Sequence, residues 1–164
     1  MNSWPSYVAL TVLCWGLYGV FLHAGALGMG DPVHGRIKAF LFVGVAYFLV
    51  AILAPLLYLW TKGASWDLPA GGATWSLVAG IVGAIGAFGL LLAYGAGGRP
   101  PVVMGLVFGG APIVTALVNT TKQGLWGEVR WPFVLGLVLV GTGAGLVSRY
   151  RPEPPTPALA EPPR

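Results

Sequence analysis

The chain alternates long uncharged runs with short segments that hold all of its Asp, Glu, Lys and Arg. The runs are residues 7–29, 39–60, 74–96, 100–119 and 131–148. A helix rises 1.5 Å per residue, so about 20 apolar residues cross the hydrocarbon of a bilayer, and each run except the last reaches that comfortably. The last, at about 27 Å, is only just long enough. The pattern predicts an all-α integral membrane protein with five transmembrane helices. A short lead, 1–6, precedes a five-helix membrane domain over 7–149, and a proline-rich tail over 150–164 lacks apolar periodicity and reads as disordered.

Within the fourth run, Pro101, Gly105, Gly109, Pro112, Ala116 and Asn119 return to one narrow helical face, because offsets of 4, 7 and 11 residues repeat nearly the same angle. Pro112 has no N–H and crowds the carbonyl of Phe108, so a backbone acceptor deep in an apolar segment is expected to need another partner. The stripe fits close helix packing first, and the lining of a solute path second. Ser76, Gly80, Gly83, Ala87 and Tyr94 form a second small-residue side on the third run, able to press against the first. Gly141 and Gly145 give the fifth a small-xxx-small face. Pro55 is expected to kink the second run near its end.

Composition narrows the class. Of 164 residues 56% are apolar and 9% charged, with a mean hydropathy of +0.78, against about one-quarter charged in soluble domains. That leaves no length for a soluble catalytic module. A net charge of +4 raises nucleic acid as a partner, yet the basic residues lie at span ends and not in a patch, so nucleic acid is excluded. Lys62, Lys122 and Arg130 fall on one side of five spans; Arg36, Lys38, Arg99, Arg149 and Arg151 fall on the other, with Arg164 far out in the tail. The bias favours an outside N-terminus and a cytoplasmic C-terminus in the cell membrane. Ala24-Gly25-Ala26 resembles a signal-cleavage site, but no basic residue precedes the first run, which is longer than a signal's apolar core. Cys14 is the single cysteine, so neither an intrachain disulfide nor a multi-cysteine metal site is available.

Candidate chemistry is sparse. With no Asp or Glu inside any run, no carboxylate is placed to carry a proton in mid-membrane. No nucleophile with a base, no HExxH and no phosphate-binding glycine loop occurs, so the chain is not expected to be an enzyme, and no cofactor or metal is implied. His23 is the one residue among Asp, Glu, Lys, Arg and His in the first run and shares a face with Gly16 and Gly19; it reads as a switch or as an interfacial hydrogen-bonding group. Arg36 reads as a helix-end anchor or a ligand, and Glu128 as a cap or ion-pair partner. Trp15, Tyr18 and Tyr94 can stack on a solute or pack as plain aromatics.

The segments CWGLYGVF, DPVHGRIKAF, LLLAYGAGGRPPVVMGLVFGGAPIVTALV and LWGEVRWPFVLGLVLVGTGAGLV, covering about Trp15 to Val147, resemble one EamA-type repeat of the drug/metabolite transporter superfamily. The matching positions are Trp15 and Gly16, Pro32 and Arg36, Ala93-Tyr94, Pro112, and Gly127-Glu128. The resemblance implies half of a ten-helix inverted-repeat transporter, and the second repeat is missing. It leads to an expected transporter of small metabolites that works as a homodimer or with a similar five-helix chain, its path lined by Trp15, Tyr18, His23, Arg36, Tyr94, Gly105, Gly109, Pro112 and Asn119. The alternative is a non-transporting membrane subunit that packs through its glycine faces.

Overall fold

Proline and glycine punctuate the chain where the helices begin and end. The computed structural model describes residues 3–152, and among them every regular element is helical. Helix α1 spans Trp4–Gly28, α2 Gly35–Tyr47, α3 Ala54–Thr61, α4 Ala70–Gly95, α5 Pro100–Gln123 and α6 Trp131–Arg149. A π-helical turn, Phe48–Leu53, joins α2 to α3, and a 3-10 turn, Leu125–Glu128, precedes α6. Five helical segments are long and apolar enough to cross a membrane, with α2, the π-turn and α3 together forming one of 27 residues.

The helices overrun the uncharged runs. Helix α1 starts at Trp4, inside the expected lead, because Pro5 occupies its first turn, where a missing N–H costs nothing. Pro132 plays the same part in α6. Helix α2 starts at Gly35, four residues before the second run, taking in Arg36 and Lys38; a polar first turn is tolerated where the helix leaves the hydrocarbon. Helix α5 continues past Asn119 to Gln123 and keeps Pro112 inside it. Gly124, at φ 66, then ends it in the left-handed region that a side chain disfavours. Most of the expected tail lies outside the described residues.

Pro55 shifts the hydrogen-bond register of the second span and does not simply break it. The amide of Ala54 donates to the carbonyl of Leu49, five residues back. A π-turn set against a proline lets the backbone absorb the lost i to i−4 bond without leaving the helical path.

Contacts divide the chain into two compact units, residues 1–100 and 101–164. In the first, α1, α2 and α4 pack on one another, with Leu22, Ala39, Ala87, Leu90, Leu91 and Tyr94 buried. Gly35 permits the closest approach: a Cβ there would lie 2.8 Å from the Ala26 carbonyl oxygen. In the second, α5 packs on α6 through its glycines, with Gly105 facing Val147 and Ser148, and Gly109 so near Ala144 that an alanine's Cβ would overlap the Ala144 Cβ. Gly141 receives the tip of Ile113. Most large apolar side chains remain exposed, Phe21 at 66%, Leu41 at 67% and Leu77 at 67% among them. Such a surface suits lipid, whose tails exact no hydrophobic penalty, and not water.

Candidate functional site

The loop between α1 and α2 is built around one carboxylate. Asp31 Oδ1 accepts the amides of Val33 (3.0 Å) and His34 (2.8 Å), and Oδ2 accepts Lys38 Nζ at 2.7 Å. The His34 amide first, then the Lys38 ammonium, holds this carboxyl well below the usual carboxylate range. The Asp-Pro sequence explains the local fold, since an aspartate readily bonds amides two and three residues on and Pro32 restricts the residue before it. Gly30, at φ 64, closes α1 and turns the chain into this loop.

Beside the loop lies a cavity of about 260 Å³, walled by His23 of α1, Asp31 and Pro32 of the loop, Arg36 of α2 and Tyr94 of α4. The His23 and Tyr94 rings meet edge to face, 5.4 Å between centroids at 73°. Tyr94 is 4% exposed, and its hydroxyl is buried without a hydrogen-bond partner. Arg36 lies along the last turn of α4, where a Cβ on Gly95 would sit 3.4 Å from its Nη1. Arg36 as a residue is half-buried, and among the described residues its guanidinium makes no ion pair or hydrogen bond. The carbonyls at the end of α4 do not engage it: Leu92, Ala93 and Tyr94 accept the amides of Ala96, Gly98 and Gly97.

The structure therefore gathers three of the sequence candidates, His23, Arg36 and Tyr94, into one cavity. Trp15 and Tyr18 lie nearby in sequence but form a separate pair, 5.6 Å between ring centroids. Tyr18, its hydroxyl also buried and unpartnered, lines a larger apolar groove of about 590 Å³ between α1 and α2, with Cys14, Phe42 and Tyr47. Gly105 and Gly109 are contact positions against α6, so packing accounts for that half of the stripe. Pro112 and Asn119 are exposed. On α4, Gly80 and Gly83 have nothing within 4 Å of an added Cβ. Glu128 and Arg130 border a third cavity, about 320 Å³, beside Thr120, and form no ion pair with each other among the described residues.

Sequence reasoning missed Asp31 as the organiser of the loop, although the Asp-Pro step was a usable signal. It also missed Gly95, whose role arises only because α2 and α4 meet. Among the described residues no group of three or more His, Cys, Asp or Glu is placed to hold a metal ion. Comparison with protein families, curated proteins and solved structures finds no match to the chain.

Proposed function

We propose that the chain is a membrane transport subunit that binds a small metabolite at the ends of α1, α2 and α4 and works as a pair of five-helix units. The observation that carries this reading is the cavity of His23, Arg36 and Tyr94, where polar side chains from three helices converge on one concavity. Polar groups that converge from three helices on one concavity are the usual makings of a small-solute site. The resemblance to a single EamA-type repeat supports the same reading and supplies the reason for pairing. By the basic-residue count the cavity opens on the cytoplasmic side.

The test is efflux from proteoliposomes loaded with a mixed extract of small metabolites, read by mass spectrometry. Faster loss of at least one compound than from protein-free liposomes, reduced by Arg36→Ala, is the expected outcome. Loss no faster than from empty liposomes, from a preparation shown to be paired, overturns it.

The second reading, a non-transporting subunit, draws on a different observation. A Cβ added at Gly80, Gly83, Gly86 or Gly89 of α4 would meet nothing within 4 Å, and small residues let another helix approach closely. Under that reading a partner seats on α4, and the cavity at its end is incidental.

A further inference from the structure

We propose that the cavity walled by His23, Arg36 and Tyr94 takes an oxyanion, a carboxylate or a phosphate, with the Arg36 guanidinium as its counter-charge. This deepens the reading of that cavity as a solute site and rests on it only for the step of transport. A guanidinium carries five donors and cannot lose its charge, so on a half-buried arginine facing a cavity it calls for an acceptor. Its two obvious structural partners are both occupied. Asp31 shares the cavity, but its carboxylate already holds Lys38 and two amides. At the end of α4 the carbonyls of Leu92, Ala93 and Tyr94 accept amides of the turn that follows them. Counting Asp31 against Lys38, Arg36 is the uncompensated charge of the cavity.

The neighbours complete an anion's coordination. Tyr94 brings a buried hydroxyl with no partner, and His23 a ring N–H, so an oxyanion would find donors from α1, α2 and α4. Gly95 matters because its missing side chain lets the guanidinium lie along α4. A cavity of about 260 Å³ has room for an oxyanion on a small body. A membrane-soluble source is an anionic lipid headgroup; an aqueous source is a free phosphate or short carboxylate. The chemistry is shared.

The experiment measures binding, not transport, on the full chain in neutral detergent. Thermal unfolding is followed with inorganic phosphate or succinate against chloride at matched ionic strength, and native mass spectrometry counts bound phosphatidylglycerol against phosphatidylcholine. The wild type is expected to be stabilised by a soluble oxyanion or to retain phosphatidylglycerol selectively. Arg36→Gln should weaken whichever binds by about tenfold or more, and Arg36→Lys should restore part of it. Stabilisation by phosphate or succinate names a solute; retention of phosphatidylglycerol alone names a headgroup. Should Arg36→Gln fail to fold, Tyr94→Phe and Gly95→Leu, which removes a donor and displaces the guanidinium respectively, must show the same loss. The proposal is overturned if no oxyanion of either kind binds the wild type, or if binding is equal in folded Arg36→Gln. Oxyanion binding without efflux defeats the transport reading alone, whereas efflux of an uncharged compound without oxyanion binding defeats this one alone.

Discussion

Two residues of the α1–α2 corner lead to separate expectations. The Asp31 carboxylate is ionised more readily in the folded state than in the unfolded chain, so its contribution is fully present above the ordinary carboxylate range and is lost as pH falls. Acid titration of the wild type should show unfolding promoted below about pH 4, and Asp31→Asn should flatten that dependence while lowering stability at neutral pH. Unchanged acid sensitivity in the variant would show that other groups govern it. Gly35 meets backbone, which cannot rotate away: a Cβ there comes within 2.8 Å of the Ala26 carbonyl oxygen and 3.2 Å of Met29 Cβ. Gly35→Ala should cost about 1–3 kcal/mol by overpacking, read as a lowered melting temperature of the detergent-solubilised protein. Neither consequence depends on what the cavity binds.

Among elements, the α5–α6 pair shows what the small-residue stripe contributes. Gly105 and Gly141 looked suited to association between chains, yet both face a helix of their own unit, so bulky substitutions there report on packing within the chain. Gly109→Ala would set its Cβ on that of Ala144 and should cost roughly 1–3 kcal/mol; Ala144→Gly in the same chain should recover most of it. A double-mutant cycle by chemical denaturation measures the coupling. Independent costs that simply add would separate the two helices at this point. Association is better probed on α4, where Gly83 is open: Gly83→Leu should weaken pairing in native mass spectrometry while leaving the melting temperature of the single chain little changed.

For the whole molecule, the question is which way the five spans insert. With Cys14→Ala as background, a cysteine at Ser3, an exposed position before α1, should react with an impermeant reagent from outside. One at exposed Pro152 should react only after permeabilisation. Equal reaction of both from outside would mean copies insert in both directions, and an inverted pair would then reproduce the two-half arrangement that the repeat resemblance implies.

Number, order and approximate extent of the spans were legible in the sequence, because a bilayer makes a one-dimensional demand: enough consecutive apolar residues, with charges outside. Helix ends were less legible, since the runs stop at charges while helices stop where glycine or a turn takes up the last hydrogen bonds, as at Gly30 and Gly124. The sequence also marked His23, Arg36 and Tyr94, but as three of nine candidate residues with equal standing. Only the packing of α1, α2 and α4 separated them from Gly105 and Gly109, which serve a helix contact, and from Pro112 and Asn119, which lie exposed. The reason is that a helix presents every residue to some neighbour or to lipid, and periodicity gives only the angle at which it points. What stands at that angle, Ala144 for Gly109 or an unpaired guanidinium beside Gly95, depends on residues far along the chain and is decided when the helices meet.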